Sequence, residues 1–442
     1  MTKIKTFFCL FFLLSATTTL VAQENFILPK QQDKAIIPFK LINNLVFIPI
    51  KVNGVELNFL LDSGVVETIL FSLEDKKEVS FFNSEKIKLK GLGSDESIEG
   101  LKSTNNILET HGLMSKNHTI FIILDQSFNL AAHIGIPVNG IIGYKLFQDN
   151  VVEIDYQKRK IYVYTNDAKV KARKLLKFDK IPITIERSKP YLIADISVNE
   201  RQRKSKLLID IGNSDAIWLF QNDSLLLPAK KFEDFLGKGF SGDVLGYRAK
   251  IAQFKIGDFE FNKPITAFPD TASVRNVNMV LDRVGSVGGE ILYRFTVILD
   301  YQKELLYLKK NSNFKKPFQY NHSGIAVQHN GLQWIKETVG LKAPAAAYVA
   351  EEESKSKTIN FKYEFKLKPI FEIASIRKNS SAEKVGLRSG DIILSINNQS
   401  IHRFNLQQIN NLLKSEGSKY IVMEVERNNK ILKFKFELID EL

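Results

Sequence analysis

A mostly β chain, made of two related halves and closed by a smaller α+β domain, is predicted by three observations. An internal repeat runs through the first 310 positions, the apolar runs within it have strand period, and a different glycine-rich pattern occupies the last hundred. At 442 residues the chain exceeds one ordinary hydrophobic core. Hydrophobic residues at 44% and charged residues at 25% exclude a disordered or fibrous chain.

Positions 1–22 come first: Lys3 and Lys5, the apolar run Phe7 to Leu14, then Leu20-Val21-Ala22, the layout of a cleavable secretory signal. Export to the periplasm or exterior of a bacterium is therefore expected. No later stretch approaches the roughly 20 apolar residues of a transmembrane helix. The only cysteine, Cys9, falls inside this leader, so an exported chain would carry no disulfide, thiol nucleophile or cysteine metal ligand. Whether a pro-segment such as Gln23 to Lys34 is also removed stays open. Lys and Arg exceed Asp and Glu by 13, and by 11 without the leader. The excess is spread out and lacks interleaved aromatics, so no nucleic-acid partner is expected.

The repeat is the organising element. Its first copy ends Gly140-Ile141-Ile142-Gly143, then Val152-Glu153-Ile154-Asp155-Tyr156-Gln157-Lys158; its second ends Ser286-Val287-Gly288-Gly289, then Ile298-Leu299-Asp300-Tyr301-Gln302-Lys303. Upstream, each carries an apolar run stopping at Asp and Gly: Leu60-Leu61-Asp62-Ser63-Gly64 and Leu208-Ile209-Asp210-Ile211-Gly212. Asp62 lies 81 positions before Gly143 and Asp210 lies 79 before Gly289, while the intervals to Asp155 and Asp300 are 93 and 90. Val46 to Leu61, broken at Asn53-Gly54, reads as a hairpin running into the first Asp. Tyr191 to Ile209 is its counterpart. The lobes are accordingly set at 35–165 and 178–310.

Two carboxylates flanking one water can hydrolyse a peptide without metal or nucleophile, because like charges about 3 Å apart share a proton. Duplication supplies one carboxylate per lobe. Asp62-Ser63-Gly64 resembles the Asp-Thr/Ser-Gly motif of retropepsin-like and pepsin-like aspartic proteases, and Ile141-Ile142-Gly143 resembles their apolar-apolar-Gly motif. Asp210-Ile211-Gly212-Asn213-Ser214 before Trp218 is similar to the second pepsin-type motif. The resemblance implies two acid-protease β-barrel lobes, catalytic Asp62 and Asp210, support from Ser63, Gly64, Gly212 and Ser214, flaps at Gly91 to Gly100 and Gly237 to Gly246, and no cofactor or metal. In the family the residue after each Asp braces the lobes through a hydroxyl; Ile211 has none. A protease fold that serves only as a peptide-binding or scaffold protein is the second reading.

Other patterns carry blander readings. Gly237-Lys238-Gly239-Phe240-Ser241-Gly242 fits a nucleotide motif outside its βαβ context. Six scattered histidines show no ligand spacing. Asp155 and Asp300, each before Tyr-Gln-Lys, suit hairpin turns.

The last domain is set at 324–442. Ser381-Ala382-Glu383-Lys384-Val385-Gly386-Leu387-Arg388-Ser389-Gly390-Asp391-Ile392-Ile393-Leu394-Ser395-Ile396-Asn397 closely resembles a PDZ domain. That resemblance implies a peptide lying between a strand at Ile370, Phe371, Glu372 and Ile373 and a helix bearing Leu406 and Ile409. A loop at Lys368-Pro369-Ile370-Phe371 would hold the peptide's C-terminal carboxylate. A peptide or protein is thus the expected partner.

Overall fold

The computed structural model describes residues 24–71, 73, 78–89, 98–124, 130–165, 172–199, 201–221, 226–239, 242–275, 279–340, 361–415 and 419–442. The expected leader, the tip of the first flap and the stretch 341–360 lie outside these.

The fold is mostly β. In the first half, eight strands follow the order Lys40–Ile42, Leu45–Val52, Val55–Leu61, Gly140–Ile142, Thr68–Leu70, Leu113–Ile123, Ile98–Thr110, Ser84–Leu89. A further pairing of Leu45–Val52 with Ile98–Thr110 curls the sheet on itself. The opening hairpin turns at Asn53 and Gly54, with φ of 48° and 91°, the double positive φ of a two-residue turn matched to strand twist. The second half repeats the plan. Lys189–Val198 pairs with Arg201–Ile209, which runs parallel to Arg283–Val287 as Val55–Leu61 runs parallel to Gly140–Ile142.

The halves share one sheet. Its six strands run Lys34–Pro38, Lys160–Thr165, Asn150–Asp155, Phe295–Asp300, Leu305–Lys310, Asp179–Pro182, three from each half. The seam is the antiparallel pair Asn150–Asp155 with Phe295–Asp300, in which Glu153 faces Ile298. One apolar core runs through both halves and includes Ile48, Leu61, Val152, Ile209, Val297 and Leu308. Asp155 and Asp300 close their hairpins, accepting the main-chain N–H of Lys158 at 3.0 Å and of Lys303 at 3.1 Å.

Two expectations shift in register and extent. The glycine equivalent to Gly143 is Gly288 rather than Gly289, because Leu61 pairs with Ile142 and Ile209 with Val287. Each of these glycines precedes a short helix, Tyr144–Phe147 or Gly289–Leu292. Residues following the leader belong to the first half: Phe26 and Leu28 enter its core, and Ile27 exchanges main-chain hydrogen bonds with Met114 at 2.9 and 3.1 Å. A pro-segment reaching to Lys34 would take part of that core with it.

The C-terminal sheet has the path Ile325–Gly340, Phe361–Ile376, Ile392–Ile396, Tyr420–Arg427, Lys430–Glu437. The helix Leu406–Leu413 covers its own separate core. Among the described residues no helix is long and apolar enough to cross a membrane.

Candidate active site

Each lobe delivers its aspartate by the same main-chain device. The N–H of Asp62 bonds the Ile142 carbonyl at 2.9 Å, and that of Asp210 bonds the Val287 carbonyl, also at 2.9 Å. The carbonyl of each aspartate then accepts from the N–H three residues on, that of Val65 or Asn213, both at 3.3 Å. The chain thus ends a parallel strand and turns at once, leaving the side chain at the strand's end. Gly143 is required beneath the first turn: a Cβ there would lie 2.1 Å from the Asp62 carbonyl oxygen.

The two carboxyls meet and are hydrogen-bonded to each other. Gly64 N–H donates to Asp62 Oδ1 at 2.7 Å, and Gly212 N–H to Asp210. Protein packs densely round both groups, yet each keeps part of its surface accessible. Desolvation, then the Asp210 charge, pushes Asp62 up to about 7, against the pull of the Gly64 N–H. Asp210 is also raised by burial, but Arg283 and Lys189 oppose the rise. The pair therefore titrates as a unit holding one proton between its two steps.

Ser63 crosses between the lobes. Its buried hydroxyl donates to the Ile209 carbonyl at 2.6 Å and accepts from Ile211 N–H at 3.0 Å. Ile211, at the matching place, is wholly buried in apolar core and makes no such bond. One serine thus ties the first aspartate's turn to both sides of the second. Ser214 enters through its main chain, its carbonyl accepting from Asn44 Nδ2 of the opposite lobe at 3.0 Å.

Lys189 and Arg283, which the motifs did not single out, stand close enough to pull on the dyad. Matching the two copies strand by strand is the signal that finds them, since their first-lobe counterparts are apolar. The predicted second flap falls on the paired strands Lys231–Gly239 and Gly242–Lys250, so Gly237, Gly239 and Gly242 lie on β-structure and not at the start of a helix as a nucleotide motif requires. His118 is a satisfied core residue between Thr68 Oγ1 at 2.7 Å and Ser115 Oγ at 2.8 Å, and burial lowers it to about 4.

The expected peptide groove is displaced. The strand bearing Ile370, Phe371, Glu372 and Ile373 is interior: it pairs with Ile325–Gly340 on one side and, through Glu372, with Ile392 on the other. It has no edge to offer there. Phe371, Ile373, Leu406 and Ile409 are core, at most 2% exposed. Among the described residues the sheet's edges are Ile325–Gly340 and Lys430–Glu437, and the first of these lies beside the helix Leu406–Leu413. The loop before it is already satisfied. Asn321 Oδ1 accepts from the N–H of Ser323 at 3.0 Å and of Gly324 at 3.2 Å, and Ser323 Oγ accepts from Ile325 N–H at 3.0 Å. A side-chain amide oxygen thus stands where a ligand carboxylate would need those donors.

A cavity of about 590 Å³ opens beside this edge and not around the dyad. Phe235, Asp215 and Arg248 of the second lobe face Ile325, Val327 and Lys414 across it. Arg248 is held between Asp215 at 2.8 Å and Asp234 at 2.6 Å, which fixes that wall. The first-lobe helix Leu130–Ile134 packs against the edge strand, and a Cβ on Gly135 would lie 2.8 Å from Leu406 Cβ.

Comparison with known proteins agrees with part of this picture. Residues 372–427 match the PDZ domain family. Among solved structures the chain is similar to an aspartic proteinase from Irpex lacteus, at 13% identity and a TM-score of 0.42, over 64% of this chain and 99% of that one. No curated protein matches it.

Proposed function

We propose that this chain is an aspartic endopeptidase that acts outside the cytoplasm, with Asp62 and Asp210 sharing one water. The observation that carries the reading is the meeting of the two carboxyls, one from each half, in hydrogen-bond contact, neither residue being fully buried. With one proton on the pair, the ionised carboxylate takes a proton from water as the oxygen attacks the peptide carbonyl carbon. The protonated carboxyl gives its proton to the carbonyl oxygen. Collapse of the resulting gem-diol breaks C–N as one hydroxyl re-forms C=O and gives its proton to the carboxylate now ionised, while the other carboxyl gives its proton to the leaving nitrogen, so the pair again holds one proton.

Lys189 and Arg283 favour ionisation of Asp210, so Asp62 keeps the shared proton. Activity then falls as pH rises through about 7, where Asp62 loses it. The PDZ-like domain contributes an edge strand for an extended peptide segment, without a carboxylate clamp.

Purified protein incubated with a mixed peptide library from acid to neutral pH, beside Asp62→Asn and Asp210→Asn, tests the reading. Cleavage by wild type alone is expected. Cleavage that survives either substitution rejects the dyad, and no cleavage at any pH favours the scaffold reading.

A further inference from the structure

The lobes differ most sharply in one cluster beside the dyad. In the first lobe Leu45, Phe47, Leu60, Val138 and Ile141 form a closed apolar cluster, with Leu130 and Ile134 of a short helix packed on it. Strand pairing fixes their second-lobe equivalents. Phe47 opposes Leu60 as Tyr191 opposes Leu208, which puts Lys189 at the place of Leu45. Phe71 N–H bonds the Asn139 carbonyl as Phe220 N–H bonds that of Val284, which puts Arg283 at the place of Val138. Ser286 replaces Ile141 by the same parallel pairing. Two apolar side chains of one lobe are two cations in the other.

These half-buried cations feel the dyad carboxylates only from beyond contact. Among the described residues neither Lys189 nor Arg283 has a carboxylate within ion-pair distance. Arg283 is instead aimed by neutral groups: Nε bonds the Gly285 carbonyl at 3.0 Å, Nη2 bonds Ser286 Oγ at 2.9 Å, and the guanidinium stacks over Phe220 at 5.1 Å. Desolvation lowers both cations from their ordinary values. Their site adjoins the reaction centre. A Cβ on Gly64 would lie 3.3 Å from Leu208 Cδ2 and 3.4 Å from Asp210 Oδ1, and Leu208 packs with Tyr191 in this same cluster.

We propose that Lys189 and Arg283 form an anion-recognising subsite beside the dyad, so that the peptides bound there carry an Asp or Glu side chain next to the scissile bond. The inference rests on the endopeptidase reading for its place in catalysis, and on the cluster's geometry for its charge preference. A carboxylate would complete a charge-assisted pair with the guanidinium held by Gly285 and Ser286. Lys189 would add a second positive charge.

Reduced-amide peptides, which bind without being cut, test this separately from hydrolysis. Glu is scanned through the positions flanking the reduced bond, each peptide paired with its Gln analogue, and binding to the full chain is read by fluorescence anisotropy. At one position the Glu peptide is expected to bind about tenfold more tightly, the worth of a charge-assisted hydrogen bond, and added salt should erode the preference. Lys189→Leu and Arg283→Val, which install the first-lobe residues, should bring the Glu-to-Gln ratio near one, while Lys189→Arg should keep it. Equal binding of Glu and Gln peptides by wild type, binding of neither, or a preference that survives both substitutions overturns the subsite. The wild-type comparison stands even where a variant does not fold. A preserved Glu preference with no cleavage of ordinary peptides would defeat the endopeptidase reading alone.

Discussion

The two lobes place their aspartates with the same main-chain bonds and surround them with different side chains. The strand-end hydrogen bonds of Asp62 and Asp210 have equal lengths at both steps, whereas Ser63 faces Ile211 and Leu45 corresponds to Lys189. The comparison teaches which parts of the arrangement are backbone geometry and which are free to diverge. The turn into the dyad permits little variation, because a Cβ added at Gly143 or Gly288 would lie 2.1 or 2.3 Å from a backbone oxygen and one at Gly212 would meet the Asp62 carboxyl. The brace and the flanking subsite can change.

The deepest break in the comparison would come at the dyad, where the lobes should be equal. Asp62→Asn and Asp210→Asn are each expected to lower cleavage about a thousandfold or more, since members of a unit fail together; a rate assay on one peptide checks this.

The glycines come next, and here the lobes should differ. A Cβ on Gly212 would sit 2.2 Å from Asp62 Cγ, while one on Gly64 would sit 3.1 Å from Asp62 Oδ1. Gly212→Ala should cost about a hundredfold in kcat, the scale of an ångström of misplacement, and Gly64→Ala about tenfold or less.

Ser63→Ala strands the buried Ile211 N–H and the Ile209 carbonyl. It should cost about 3 kcal/mol in denaturant unfolding, against about 1 kcal/mol for Ile211→Val, which removes only a methyl from core.

The smallest expected effect is on the pH dependence of stability. Because Asp62 is raised in the folded state, its stabilisation is full below its ordinary value of 3.8 and is lost as pH rises through about 7. Asp62→Asn should remove that decline, so that its thermal midpoint varies less between about pH 4 and pH 8 than that of wild type.

Much of this was legible in the residues because it was written twice. Repetition pointed to Asp62, Asp210 and the hairpin aspartates, but not to Phe26 and Leu28, which join the first half's core ahead of its expected start at 35. The Gly288-Gly289 pair hid the register by one position, since spacing alone cannot choose between adjacent glycines and strand pairing can. The PDZ-like pattern marked its helix and glycine turn, but which strand forms the sheet edge depends on partners far away in sequence, and the choice of Ile370 to Ile373 failed there. Lys189 and Arg283 fall outside the repeated motifs. Only superposed strands reveal that they occupy places meant for apolar side chains.

The shared sheet has a mechanical consequence. Since the seam is a ladder of main-chain bonds between Asn150–Asp155 and Phe295–Asp300, a nick in the connector between the halves should leave them clasped. A solitary first half would instead bare Asn150–Asp155 as a raw edge able to zip onto a twin. Such a pairing would set one Asp62 opposite another and rebuild from two chains the arrangement that this protein encodes in one.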